Sequence, residues 1–199
     1  MKQALIVGHP RARSFTLAMA EAYAAAAREE GAEVVVRDLY RLGFDPLLRA
    51  DELPDHEGFQ PRADVLSEGA VIGDADVFAF FYPLWFNAPP AMLKGYVERV
   101  FCMGFGYSSF GLDGNQPMFS GRRLVSFTSS GAPQHWVERS GAWAAMRKHF
   151  DDHLASVTGL DLIGHHNIGG VAPGMRADVV SGHARTVAAI AAQIAHGGR

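Results

Sequence analysis

The segment Phe80-Phe81-Tyr82-Pro83-Leu84-Trp85-Phe86-Asn87-Ala88-Pro89-Pro90 sets two bulky aromatics, Trp85 and Phe86, directly after an apolar run closed by a proline. The run over 77–82 has the unbroken apolar character of a strand buried on both faces. Pro83 has no N–H with which to continue a ladder, and Pro90 opens an apolar helix at its first turn. Large aromatics at the carboxyl end of a buried strand are costly to leave wet. Pro83, Leu84, Trp85, Phe86 and Asn87 are therefore expected to lie against something flat and apolar. The competing reading, that Trp85 and Phe86 plug the core under a loop, does not account for two aromatics directly after a strand-ending proline.

Two further segments carry chemistry. His9-Pro10-Arg11-Ala12-Arg13-Ser14-Phe15-Thr16 follows an apolar run and precedes an alanine-rich one. It is neither a GxGxxG fingerprint nor a Walker A loop. It supplies what a phosphate needs: hydroxyls at Ser14 and Thr16, a histidine, arginines at 11 and 13, and free N–H groups at a helix start. The alternative is that Ser14 only caps the helix and the arginines are solvated. Thr128-Ser129-Ser130-Gly131-Ala132-Pro133 is a succession of small residues ending in glycine. It lets backbone approach a ligand and turn N–H groups toward ring carbonyls, unless it is an ordinary turn.

The elements that must position these segments follow from periodicity. Strands are expected over 4–8, 33–38, 77–82, 124–128 and 160–166. Helices are expected over 17–27 (N-cap Ser14, ending near Gly31), 63–73, 91–100, 135–157 (broken or kinked around Gly141) and 177–195, with a frayed tail from His196. The proline-bearing polar stretch 39–62 reads as an excursion from the core, and 101–120 as a glycine- and aromatic-rich connection. Strands alternating with helices imply βαβ units and a parallel α/β sheet. In such sheets ligands bind beyond the carboxyl ends of the strands, where the three segments above should meet.

At 199 residues the chain is expected to form one domain, 1–199, and 48% hydrophobic against 20% charged residues is a globular composition. A net charge of −3 gives no footprint for nucleic acid and no polybasic membrane anchor. One cysteine, Cys102, excludes an internal disulfide framework and suits a reducing compartment. The first apolar run is too short for a signal peptide, and no stretch is long enough to cross a bilayer. A soluble, cytoplasmic protein is expected.

Val7-Gly8-His9-Pro10 with Ser14-Phe15, then Asp38-Leu39-Tyr40-Arg41-Leu42-Gly43-Phe44-Asp45-Pro46, then Pro83-Leu84-Trp85-Phe86 with Pro90-Ala91-Met92-Leu93-Lys94-Gly95, resemble the NAD(P)H:quinone oxidoreductase family with a flavodoxin-like fold. That family includes DT-diaphorase-type reductases, modulator-of-drug-activity proteins and ancillary subunits of potassium-efflux systems. The resemblance runs from near Leu5 to about Gly131. It implies a doubly wound five-stranded parallel sheet of order 2-1-3-4-5 and a homodimer. It also implies a bound flavin, FAD in preference to FMN, with NAD(P)H as co-substrate. Two electrons would pass by ping-pong hydride transfer to a quinone or similar acceptor.

By the same resemblance His9, Ser14 and Phe15 hold flavin phosphate, with Thr16 where many relatives have asparagine. Pro83, Leu84, Trp85, Phe86 and Asn87 form the bed of the isoalloxazine ring, and Thr128, Ser129, Ser130 and Gly131 face its pyrimidine end. Trp136 stands where some relatives have a tyrosine, and their histidine falls near Ala142 or Trp143. Neither replacement relays a proton, so no catalytic side chain is assigned and the flavin carries the hydride. Tyr107, in the connection from Cys102 to Phe110, and Trp136 are candidates for contact with the acceptor, Tyr107 across the dimer interface.

Other signals weigh less. His149 and His153 have helical spacing, but no third ligand stands out, and Asp151, Asp152 and Lys148 suggest a solvated face, so no metal is expected. His165 and His166, adjacent on a strand, face opposite sides. Arg176 approaches the cofactor in the resemblance, and Cys102 reads as packed, with nothing nearby to lower its pKa. Two other classes remain open: a flavin-binding regulatory subunit of a membrane transporter, and a flavodoxin-type electron carrier, which −3 makes mildly charged for its kind.

Overall fold

The computed structural model describes residues 1–53, 59–102, 104–108 and 116–197. Five parallel strands, β1 Lys2–Val7, β2 Glu33–Asp38, β3 Val77–Pro83, β4 Arg123–Ser129 and β5 Asp161–Ile168, form one sheet in the order β2-β1-β3-β4-β5. The helices are α1 Phe15–Glu29, α2 Ala63–Ile72, α3 Ala91–Val100, α4 Gln134–Arg139, α5 Ala142–Arg147, α6 His153–Thr158 and α7 Ala177–His196.

The period of two along the central strands divides the core into two layers. Leu5, Val7, Val77, Ala79 and Phe81 pack on one side against Ala20, Tyr23, Ala24 and Ala27 of α1 and Val187 and Ala191 of α7. The buried alanines let α1 lie close on the sheet. Ala4, Ile6, Phe78, Phe80 and Tyr82 pack on the other side with Leu93 and Tyr96 of α3 and Leu154 of α6.

Pro83 is paired with Ser129 as the last residue of β3, one position beyond the expected end. The Leu84 N–H donates toward β4, to the Ser129 carbonyl at 2.7 Å. The nitrogen of Pro83 therefore faces β1, whose pairing with β3 has ended at Val7, so no donor is missed there. β5 likewise runs two residues past the expected end, because Asn167 and Ile168 continue to pair with Thr128 and Ser129.

The excursion after β2 is tied down by α3. Gly95 has no side chain because a Cβ there would stand 2.1 Å from the carbonyl oxygen of Pro46. Buried Arg99 donates to Glu52 at 2.8 Å, to both oxygens of Asp64, and to the Asp45 carbonyl at 2.6 Å. Residues 54–58 lie outside the described set.

The helix expected over 135–157 is interrupted twice. Gly141, in the left-handed region at φ 75°, separates α4 from α5. The second interruption is a π turn, Lys148–Asp152. It turns Asp151 inward until that side chain is wholly buried, which corrects the expectation of a solvated face. α7 continues through His196, whose Nδ1 lies 2.9 Å from the Ala192 carbonyl, so the tail begins later than expected.

Candidate functional site

The loops after β1, β3 and β4 meet at the carboxyl edge of the sheet. Gly8 N–H donates to Phe81 at 2.9 Å, Leu84 N–H to Ser129, and Ser130 N–H to Ile168 at 3.0 Å, so each loop is hung on its neighbour. Between them opens a cavity of about 360 Å³. Of the residues named from sequence, His9, Ser14, Phe15, Thr16, Pro83, Leu84, Trp85, Ser129, Ser130 and Gly131 line it, together with Arg11 and Arg13.

One end is suited to an anion. Ser14 is the N-cap of α1, its Oγ accepting from Leu17 N–H at 3.2 Å. The N–H groups of Phe15 and Thr16 have no acceptor among the described residues, as the first turn of a helix leaves them. His9 Nδ1 accepts from Arg11 N–H at 3.1 Å, so in the neutral ring Nε2 carries the hydrogen. Burial, followed by the Arg11 and Arg41 charges, lowers the His9 pKa. Arg41 braces this loop by donating to the carbonyls of His9 and Pro10 while pairing with Asp38 at 3.2 Å.

The other end is aromatic. Trp85 and Ala88 exchange two backbone bonds of 3.1 Å around Phe86 and Asn87, which are left-handed at φ 50° and 57°. Two such residues in sequence make a tight hairpin-like turn and store backbone strain. Trp85 remains 44% exposed at the cavity wall, whereas Phe86 is 105% exposed and points its ring into solvent. The Phe86 ring therefore does not line the cavity, because the turn reverses direction there. The N–H groups of Leu84, Trp85 and Ala88 are committed within the protein, leaving those of Phe86 and Asn87 as donors without an acceptor among the described residues. The Asn87 side chain donates to Ala142 O at 2.7 Å and anchors the turn to α5. In the third loop Gly131 N–H is left without an acceptor among the described residues.

Some expected residues lie elsewhere. Thr128 is buried behind the loop, hydrogen-bonded to His165 and Asn167. Trp136 is 57% exposed on α4 and does not line the cavity. Tyr107 bridges to Pro117 and lines a separate groove of about 380 Å³ with Val97, Phe101, Cys102 and Leu154; burial raises its pKa and that of the Cys102 thiol. Met103 and residues 109–115, part of the connection in which contact across an interface is expected, lie outside the described set. Arg176 is exposed and pairs with Asp178 at 2.8 Å, away from the cavity. The stretch just before it lines the cavity instead: Val171, Ala172 and Pro173, for which the Pro173-Gly174 turn signal was the only clue. His149 and His153 line the Tyr107 groove, and no group of three or more potential metal ligands occurs among the described residues.

Comparison with known proteins agrees with this architecture. A family profile described as having a flavodoxin-like fold matches residues 1–191, and the chain belongs to that family. Among curated proteins, NAD(P)H dehydrogenase [quinone] 1 of Cavia porcellus is 33% identical over 150 residues, covering 66% of this chain and 54% of the relative. An uncharacterized NAD(P)H oxidoreductase of Haemophilus influenzae is 39% identical over 111 residues, covering 55% of this chain and 54% of that protein. The chain thus spans about half the length of these relatives. Among solved structures, NAD(P)H:quinone oxidoreductase from Methanothermobacter marburgensis superposes with a TM-score of 0.85 at 26% identity, over 98% of this chain and 96% of the other.

Proposed function

We propose that this chain is a flavin-dependent NAD(P)H oxidoreductase that passes two electrons from NAD(P)H to a quinone or similar acceptor. The observation that carries the reading is one cavity with an anion-binding helix start at one end and an exposed tryptophan facing a small-residue loop at the other. The donor set suits a flavin. Ser14, the free N–H groups of Phe15 and Thr16, and His9 would hold phosphate. Trp85 and Leu84 would cover one ring face. The N–H groups of Phe86, Asn87 and Gly131 would meet polar ring atoms. Arg11 and Arg13 at the phosphate end support FAD, with its second phosphate, over FMN.

A bound flavin supplies hydride exchange, accepting from a nicotinamide and giving to a quinone. The protein's part is to orient the ring, present its open face to donor and acceptor in turn, and offer N–H dipoles where negative charge develops. Alternating use of one face gives ping-pong order. Trp136 and Trp143 hold no titratable group, so neither relays a proton to the acceptor. The reading includes a homodimer, supported by the apolar groove at Val97, Phe101 and Tyr107.

The test is to incubate the purified protein with FAD or FMN, remove excess, identify what is retained, and follow NADPH and NADH oxidation with and without a quinone. Retained flavin and quinone-stimulated oxidation are expected. Absence of retained flavin, or oxidation that quinone does not raise, contradicts the proposal.

A further inference from the structure

Asp151 and the side chain of His165 have no solvent-exposed surface. A carboxyl group buried that deeply must be paired and hydrogen-bonded, or hold a proton. Its Oδ1 accepts from Ser126 Oγ at 2.8 Å, and its Oδ2 lies 2.5 Å from His165 Nδ1. The other ring nitrogen, Nε2, is 2.9 Å from Thr128 Oγ1, which is 3.0 Å from Asn167 Oδ1. Trp143 closes edge-on over the imidazole, with ring centres 4.6 Å apart.

The direction of every bond is set from the far end. Gln134 Nε2 donates to the Glu138 carboxylate at 2.8 Å, so Gln134 Oε1 is the atom that receives Asn167 Nδ2 at 2.7 Å. Asn167 Nδ2 also donates to Ser130 Oγ at 3.2 Å, and the Ser130 hydrogen goes to the Ala132 carbonyl at 3.0 Å. Asn167 thus turns Oδ1 to Thr128 and takes its one hydroxyl hydrogen. Thr128 can only accept from His165, so Nε2 carries a hydrogen. The contact between Nδ1 and Asp151 requires a second. The pair holds one proton more than a neutral imidazole beside a bare carboxylate, and its net charge is zero.

All donors in this chain therefore point the same way: His165 to Thr128, Thr128 to Asn167, Asn167 to Ser130, Ser130 to Ala132. We infer that Asp151 and His165 are a positioning pair whose shared proton polarises the Thr128–Asn167–Ser130 chain, setting its positive end at the Ser129–Gly131 wall of the cavity. Aligned dipoles in a dry interior act strongly on charge nearby. Resting on the flavin reading, the consequence is that this wall favours the reduced, more negative cofactor over the oxidised one. The buried Tyr82 hydroxyl, with no partner in hydrogen-bond geometry among the described residues, lies near Ser126 and Asp151. Burial first, then the Asp151 charge, holds its pKa well above the usual tyrosine value, so the hydroxyl keeps its hydrogen.

Two measurements test this. The first uses the unliganded wild-type protein labelled with ¹⁵N-histidine, at neutral pH. A hydrogen on His165 Nε2, protected from exchange, is expected; a bare Nε2 overturns the inference. The second is the midpoint potential of the bound flavin in Thr128→Val and Thr128→Ser. The valine variant is expected to lose tenfold in its preference for reduced over oxidised flavin, a midpoint about 30 mV more negative for a two-electron couple. The serine variant, which keeps the hydroxyl, is expected to restore most of that shift. An unchanged potential in Thr128→Val overturns the inference, as does failure of serine to rescue. If the wild type takes up no flavin, the functional reading fails by itself, and the state of Nε2 alone decides the pair.

Discussion

Ser14 serves two purposes that one substitution can separate. Its Oγ caps α1, and α1 has no acidic residue in its first turn. Aspartate is as good an N-cap as serine and adds a favourable charge at the positive end of the helix, so Ser14→Asp should leave the unliganded fold as stable as before or slightly more so. The same carboxylate would stand where the phosphate is proposed to bind, beside the free N–H groups of Phe15 and Thr16. Two unit charges about 4 Å apart, at an effective dielectric of roughly 20, repel by about 4 kcal/mol. That is roughly a 1,000-fold loss in affinity. Ser14→Asn, neutral and also a good cap, is the control and should bind flavin within about tenfold of the wild type. Flavin titration followed by fluorescence gives the affinities, and thermal unfolding of the unliganded variants gives the stabilities. If Ser14→Asp folds normally and binds flavin within about threefold of the wild type, the anion does not sit at the start of α1 and the reasoning fails.

Other outcomes follow from the same structure. Trp85→Ala, at a half-exposed side chain, should change stability by less than about 1 kcal/mol but weaken flavin binding at least tenfold, read by unfolding and titration in parallel. Arg99→Met removes the closest cation from the buried Glu52 carboxylate, leaving it the Arg49 N–H at 3.0 Å and Arg62 at 3.6 Å, and should cost about 3 kcal/mol in chemical denaturation. Gly95→Ala drives a methyl group into the Pro46 carbonyl and should destabilise by about 1–3 kcal/mol by displacing the excursion after β2. Burial, and then the charge of His165, lowers the pKa of His166 from 6.5. The unfolded chain therefore binds more protons below pH 6.5, and stability should fall as pH drops from there until the folded-state pKa is passed; His166→Asn should flatten that slope in denaturation at a series of pH values.

Much of this was legible in the chain because the signals were local. The apolar run ending at Pro83, the alanines of α1 and the alternation of strands with helices each state a burial pattern, and together they specify a parallel α/β sheet, whereas its order was implied by the family resemblance. The loops after β1, β3 and β4 followed from the rule that ligands bind beyond strand ends, and they do enclose one cavity. What was missed depends on distance or on turn geometry. Phe86 looks like Trp85 in sequence, and only the left-handed turn at Phe86 and Asn87 sends its ring outward. Val171 to Pro173 reach the site because the chain leaving β5 hydrogen-bonds back to Ser130. Asp151 sits among polar neighbours and reads as surface; a π turn, which has no sequence signature here, delivers it to His165, fourteen positions on.

The most direct test is the structure of the protein crystallised with flavin. The account predicts a phosphate within hydrogen-bond distance of the Phe15 and Thr16 N–H groups, and a ring lying against Trp85 with its polar edge toward Gly131. A flavin bound elsewhere, or Trp85 folded into the cavity with no flavin beside it, would contradict the account.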